Sequence, residues 1–278
     1  MMSLGFDEGR LRRVVQLCDR YVDDGKFPCA QVQIAHQGNI ALRYTAGAAD
    51  IESGTELQDD AIFRIYSMTK PITSIGLMQL YEEGKFILED PVEKYIPSFS
   101  NPEVLVGGPI HKPITRPAQT TLTIRDMLIH TSGLTYGFHY SNNLDKMYRH
   151  QKLGGAVEGS SSSLEEIVNQ IGELPLLFDP GTAWNYSMST DVCGRLIEVI
   201  SGQSLDDYLR EYITGPLGMV DTGFHVEKAN SGRFTSNYAI TPKDPLTRID
   251  AADNSPYLEP QVFLSGGGGM VSTTDDYQ

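Results

Sequence analysis

The sequence predicts an α+β fold, in which a small antiparallel β portion is followed by a mainly helical portion. The first observation is an amphipathic helical pattern within residues 8–25. The second is a pair of β-type runs, Ala30–Ala35 and Ile40–Thr45, which are joined across Gly38-Asn39 in the manner of a hairpin. The third is the change to helical patterns from Ser67 onward.

The first helix after this change is predicted from its apolar spacing. Ile72, Ile75, Met78 and Tyr81 trace one stripe, which predicts a buried face, and Gly84 predicts the end of the helix.

Later helix starts are predicted by a capping residue that is followed, three positions on, by an acidic residue. These pairs are Asp90/Glu93, Thr123/Asp126, Ser163/Glu166 and Ser204/Asp207. A further helix is predicted over 191–201, ended by Gly202.

The pattern divides the chain into two expected portions. Residues 1–66 hold the first helix and the hairpin, and residues 67–278 form the mainly helical domain. Stretches 98–121 and 141–163 are expected to be irregular, and residues 235–250 are expected to form a second short hairpin.

Composition excludes several classes of protein. The 278 residues carry 36 acidic and 22 basic side chains, a formal net charge of −14 with no basic cluster. This balance disfavours nucleic acid and an anionic membrane as partners. No apolar run approaches the roughly 18 residues of a membrane span.

The cysteines, the histidines and the first residues exclude further classes. Three cysteines, an odd number without metal-ligand spacing, together with a start that lacks a signal-peptide pattern, predict a cytoplasmic protein rather than a secreted disulfide scaffold. The six histidines are scattered, so we expect no metal. Glycine-rich nucleotide motifs do not occur, so we expect no cofactor.

The first candidate for chemistry is Ser67–Lys70, the one Ser-x-x-Lys in the chain. Residues three apart share a helix face, so the lysine ammonium can lie beside the serine hydroxyl and help to activate it as a nucleophile. Pro71 lacks the N–H that would bond the Ser67 carbonyl, so we expect an irregular first turn. A four-residue match alone more often marks an exposed serine beside a surface lysine.

Two further segments carry candidate residues. Tyr186, in Trp-Asn-Tyr-Ser, can act as a base if a cation such as Lys70 stabilises its phenolate; otherwise it is a half-buried tyrosine that packs beside Trp184. The four glycines that follow Ser265 allow unusual backbone angles and close approach of a ligand, or form a loop without function. His130, in His-Thr-Ser-Gly, is expected to bond a loop.

The order of these motifs (Ser-Met-Thr-Lys, His-Thr-Ser-Gly-Leu, Pro-Gly-Thr-x-Trp-x-Tyr-Ser and Gly-Gly-Gly-Gly-Met-Val-Ser-Thr) resembles that of the class C β-lactamase-like serine hydrolases. The chain is most similar to their carboxylesterase branch, the family VIII esterases, over residues 8–278. The resemblance implies a β-lactamase/transpeptidase-like fold, with an antiparallel sheet flanked by helices and a mainly helical domain.

The resemblance also implies roles for individual residues. Ser67 is implied as the acylated nucleophile, whose backbone N–H supplies one half of an oxyanion hole, Lys70 as its cationic partner and Tyr186 as the general base. Gly267, Gly268 and Gly269 are implied as a substrate-binding wall, as is Met188. β-Lactamases of this class carry an asparagine where this chain has Met188, and the loss of that amide favours ester substrates over lactams.

A second departure concerns the family's third motif, which lies on a late strand beyond the glycines. The chain ends at Gln278, so the resemblance implies that the sheet is incomplete and that its C-terminal strands, a closing helix and the second oxyanion donor are absent. We therefore expect the chain to be a truncated form of a longer protein.

Several functions remain open from the sequence. The first is a carboxylesterase that forms an acyl-enzyme on small ester substrates. The others are a β-lactamase or D-alanyl-D-alanine peptidase, an acyltransferase in which an alcohol captures the acyl group, and a catalytically inert fragment or binding module.

Overall fold

The computed structural model describes residues 5–153, 160–241 and 246–278. The helices are α1 Glu8–Asp23, α2 Thr69–Glu82, α3 Ile124–Leu128, α4 Asn143–His150, α5 Leu164–Gly172, α6 Ser189–Ser201, α7 Leu205–Leu209, α8 Gly215–Leu217 and α9 Thr274–Tyr277. The strands are β1 Cys29–His36, β2 Asn39–Asp50, β3 Thr55–Glu56, β4 Phe63–Arg64, β5 Glu103–Gly107, β6 Ile114–Pro117, β7 Asn237–Ala239, β8 Thr247–Asp250 and β9 Val271–Ser272.

The chain forms two compact units. The described parts of Met1–Arg64, Gly218–Pro260 and Val271–Gln278 form the first, and those of Ile65–Leu217 and Gln261–Met270 form the second. The expected boundary after residue 66 lies close to the first of these breaks. The sequence places Gly218–Pro260 and Val271–Gln278 in the helical portion, but the structure places their described parts in the first unit.

The first unit contains the antiparallel sheet β1-β2-β3, which confirms the predicted hairpin. Its turn lies one residue earlier than predicted, because His36 pairs with Asn39 and the left-handed residues are Gln37 and Gly38. β7 and β8 confirm the second hairpin.

Helix α2 is confirmed, but its predicted buried face is only partly correct, because Ile72 of the predicted stripe is buried whereas two other members are not. Ile75 and Tyr81 are exposed, whereas Thr73, Gly76 and Leu77 are buried. The reason is close packing between helices: a Cβ on Gly76 would lie 2.9 Å from Leu209 Cδ2. Small residues such as Thr73 and Gly76 are therefore part of the buried face of α2, alongside Ile72 and Leu77.

The predicted helix starts are mostly confirmed. Capping boxes occur at Thr123/Asp126 and Ser163/Glu166, and Ser204 caps α7. The start predicted at Asp90/Glu93 is wrong, because only a 3₁₀ turn, Val92–Lys94, follows there.

Two stretches expected to be irregular contain regular structure. Residues 98–121 hold the hairpin β5-β6, and residues 141–163 hold α4, which begins with a capping box at Asn142/Asp145. The remainder of the second stretch, 154–159, lies outside the described residues. Within the described ranges, no helix combines the length and apolar character that spanning a bilayer requires.

Candidate active site

Ser67 lies in a tight turn that leads into α2. The turn is a 3₁₀ helix, Tyr66–Met68, and α2 continues from Thr69 with Pro71 in its first turn. This confirms the irregular start that the missing N–H of Pro71 predicts. Tyr66 has a φ of 42°, in the left-handed region, so the residue before the serine is held in a strained conformation.

The structure brings Ser67, Lys70 and Tyr186 together. Tyr186 donates its phenol hydrogen to Ser67 Oγ at 2.6 Å, and Lys70 Nζ lies 3.3 Å from the same oxygen. The Lys70 ammonium also lies 4.6 Å from the centre of the Tyr186 ring. The tyrosine and the serine are 119 residues apart in the chain, so only the fold could establish this arrangement.

Lys70 uses its three N–H groups on three oxygens. Besides Ser67 Oγ, it donates to the Tyr136 hydroxyl at 3.1 Å and to the carbonyl of Gly267. An ammonium has three donors and no acceptor, so this set of partners matches the charged form of the lysine. The geometry presents Lys70 as a fixed cation beside the serine and the tyrosine.

Tyr136 is a site residue that the sequence analysis missed. It is 7% exposed, and its ring lies 5.2 Å from that of Tyr186. Burial, reinforced by the nearby Asp191 carboxylate, raises the pKa of Tyr136 well above its ordinary range. It therefore remains a neutral phenol, unsuited to act as a base. The feature of the sequence that could have indicated Tyr136 is its position just after the His-Thr-Ser-Gly motif.

The glycine run forms a tight loop rather than a flexible one. The Ser265 carbonyl accepts from the N–H groups of Gly268 and Gly269, at 3.3 Å and 2.9 Å. A Cβ on Gly267 would lie 2.5 Å from Asp191 Oδ2 and 2.8 Å from the Tyr136 hydroxyl. None of the four glycines has a positive φ, so close approach, and not the predicted unusual backbone angles, accounts for Gly266, Gly267 and Gly269, whereas a Cβ on Gly268 would meet only ordinary contacts from 3.7 Å.

The same loop is bonded to the segment that carries Ser67. Met270 accepts from Ile65 N–H at 3.0 Å and donates its own N–H to Thr69 Oγ1 at 3.1 Å. Thr73 Oγ1 donates to the Gly266 carbonyl at 2.9 Å. Gly267 and Gly269 are buried and Gly268 is half-buried, so Gly268 is the one of the three predicted wall residues with appreciable exposure.

Met188 does not line an open surface, which corrects its predicted position. Its side chain is 1% exposed at the start of α6, and its N–H donates to the Thr135 carbonyl at 3.2 Å. Met188 therefore packs beneath the segment that carries Tyr136, and its exposure does not support direct substrate contact.

His130 supports the segment that carries Tyr186, as its structural interpretation predicts. Its carbonyl accepts from Asn185 N–H at 3.0 Å, and its Nδ1 lies 3.2 Å from Ser187 Oγ. Burial, together with the Lys70 charge, lowers the pKa of His130 to about 4.

A neutral His130 predicts sensitivity to acid. The unfolded chain takes up a proton at about pH 6.5, whereas the folded chain does so only near its lower pKa. Stability contributed through this histidine is therefore complete above about pH 6.5 and is lost as pH falls towards about 4. We expect the Tm of His130→Asn to fall less than that of the wild type between about pH 7 and about pH 4.5. His150→Asn, at an exposed histidine, is the matched control. If Tm fell equally with pH in His130→Asn and His150→Asn, the prediction would be contradicted.

The profile of the Beta-lactamase family matches residues 14–278, and the chain therefore belongs to that family. Its fold is accordingly β-lactamase/transpeptidase-like, with helices and small antiparallel sheets. The family assignment confirms the resemblance to β-lactamase-like serine hydrolases.

Individual relatives agree with this assignment. An uncharacterized protein of Mycobacterium tuberculosis is 37% identical over 272 residues, which cover 97% of this chain and 64% of the relative. Esterase EstB of Burkholderia gladioli is 28% identical over 278 residues, which cover 95% of this chain and 67% of EstB. The solved structure of EstCE1, described as a hydrolase with promiscuous acyltransferase activity, matches with a TM-score of 0.79 and 27% identity, over 96% of this chain and 70% of that one. The chain thus spans about two thirds of the length of these relatives.

Proposed function

We propose that the protein is a serine hydrolase that forms an acyl-enzyme at Ser67 and acts on small ester substrates. The observation that carries the proposal is the contact of 2.6 Å between Ser67 Oγ and the Tyr186 hydroxyl, beside the ammonium of Lys70. A serine hydroxyl needs a neighbouring group to take its proton and a positive environment for the charge that develops, and this arrangement supplies both.

The proposed reaction has two halves. In the reactive form, in which Tyr186 is deprotonated beside the Lys70 ammonium, Ser67 Oγ attacks the ester carbonyl while its proton passes to the phenolate oxygen, and the resulting phenol gives that proton to the departing alcohol. Water then attacks the acyl-enzyme, gives a proton to Tyr186 and releases the acid, and the proton returns to Ser67. The Lys70 ammonium stabilises the phenolate between these transfers, so the tyrosine and the lysine act as one coupled proton-holding pair.

Ester substrates are favoured over lactams in this proposal. Met188, two residues after Tyr186, is 1% exposed and does not reach an open surface, so the preference does not rest on that position. The relatives named as an esterase and as a hydrolase support the same choice.

Acyl transfer to an alcohol is the second candidate activity. EstCE1 is described as having promiscuous acyltransferase activity, and the proposed acyl-enzyme can be captured by an alcohol in place of water. Product analysis in water with an added short-chain alcohol separates the two outcomes, because capture by the alcohol yields a new ester instead of the free acid.

A fluorophosphonate label tests the proposal. We expect one covalent adduct, located on Ser67 by peptide mapping, which Ser67→Ala abolishes and which Ser204→Ala, at an exposed helix cap, retains. Absence of label on Ser67 would support the inert alternative. A short-chain aryl ester and a chromogenic cephalosporin then separate esterase from β-lactamase, and faster turnover of the cephalosporin would contradict the ester preference.

A further inference from the structure

A buried carboxylate lies directly beneath the glycine loop. Asp191, in the first turn of α6, is 1% exposed, and its Oδ1 accepts from Ser265 Oγ at 2.6 Å and from Gly267 N–H at 3.1 Å. Both donors belong to the loop. The proposed acyl-transfer steps do not use this carboxylate, although burying one is costly unless it is well partnered.

Gly267 connects this carboxylate to the site. Its N–H is bound by Asp191, and its carbonyl receives the Lys70 ammonium. A side chain at this position would collide with Asp191 Oδ2 and with the Tyr136 hydroxyl. The backbone of one residue is therefore held between a buried carboxylate on one side and the cationic partner of Ser67 on the other.

The charged and titratable groups around Asp191 also link it to Lys70. It is faced by Lys70 from α2, by Tyr136 from the segment after α3, and by Cys193 on its own helix. Burial raises the pKa of Asp191, whereas the two loop donors and the Lys70 charge favour its ionised form. Among the described residues that face Asp191, the cation is therefore Lys70, which also lies beside Ser67.

We propose that Asp191 is a positioning residue, whose carboxylate holds the Gly267 peptide so that its carbonyl anchors the Lys70 ammonium between Ser67 and Tyr136. The inference rests on the proposed function, because anchoring matters for catalysis only if Lys70 assists Ser67. Asp191 itself touches no reacting atom in this scheme. Its effect reaches the serine through the loop and through the lysine.

The test is Asp191→Asn, which preserves shape and removes the charge. We expect faster amide exchange in residues 265–270 and a fall in kcat of about 10-fold or more with KM changed by less than about 3-fold, because orientation in the transition state is lost rather than substrate affinity. The matched control is Asp126→Asn. Asp126 is also a buried carboxylate, bonded by the hydroxyls of Thr131 and Thr123, each at 2.6 Å, and by the Thr123 N–H at 3.0 Å, and none of these donors belongs to the glycine loop.

Three results would overturn the inference: unchanged exchange in the loop, unchanged kcat despite faster exchange, or an equal loss of kcat in Asp126→Asn. A wild-type protein that resists fluorophosphonate would refute the proposed function, while the exchange comparison would still decide whether Asp191 holds Gly267. Ser265→Ala keeps the charge and removes one hydrogen bond, so it covers the case in which Asp191→Asn does not fold. We expect it to accelerate loop exchange and to lower kcat by a smaller factor, and no change in either quantity would overturn the inference.

Discussion

Replacing Tyr186 with phenylalanine is expected to lower kcat/KM for a short-chain aryl ester by at least about 100-fold, the usual scale for the loss of an acid–base group. The substitution removes the oxygen that lies 2.6 Å from Ser67 Oγ and keeps the ring. That ring packs against Trp184, Tyr136 and His130, so the variant should fold. Steady-state kinetics at the optimum pH of the wild type measure the effect, and an unchanged Tm verifies the fold.

Tyr136→Phe is the matched control for this prediction. Its hydroxyl bonds Lys70, not Ser67, and stays neutral through burial, so its loss should lower kcat/KM by no more than about 10-fold. If Tyr136→Phe were the more damaging of the two substitutions, the base would have been assigned to the wrong tyrosine.

Lys70→Met is expected to lower kcat/KM by at least about 100-fold as well. Methionine keeps the apolar stem and removes the ammonium, so three oxygens, those of Ser67, Tyr136 and Gly267, lose their common donor. The larger part of the loss should appear in kcat, because the cation stabilises the Tyr186 phenolate that takes the serine proton.

Lys85→Met, at an exposed lysine just beyond α2, controls for the loss of a positive charge in general. It should retain the activity of the wild type. A Lys70→Met enzyme with more than about a tenth of the wild-type kcat would show that the lysine is not needed for the proton transfer.

Local signals in the sequence predicted much of the fold. The Ser163/Glu166 pair and the turn after His36 act within a few residues, so their geometry can be read from the residues that make it. The buried face of α2 could be read in this way only in part. Thr73 and Gly76 face other helices because those helices approach closely, and apolar spacing selects the largest side chains instead.

The same distinction between local and long-range contacts applies to the candidate site. Ser67 and Lys70 are three residues apart, so a helical turn brings them together, and the family resemblance implied the role of general base for Tyr186, which was already a candidate. Tyr136 meets Lys70 across 66 residues, and Asp191 meets Gly267 across 76. Contacts at such separations depend on how the elements pack, which no local pattern contains.

The hydrogen bonds between the glycine loop and the start of α2 join parts of the candidate site that lie far apart in the chain. Thr73 and Gly266 are 193 residues apart, and Thr69 and Met270 are 201 apart. Closing loops of that length carries a large entropic cost before any contact rewards it, so such pairings form late. A partly folded chain can therefore contain helix α2 and the preceding turn with Ser67 before the Gly267 carbonyl is in place to bind the Lys70 ammonium. In the proposed mechanism, the activation of Ser67 therefore depends on the completed fold and not on helix α2 alone.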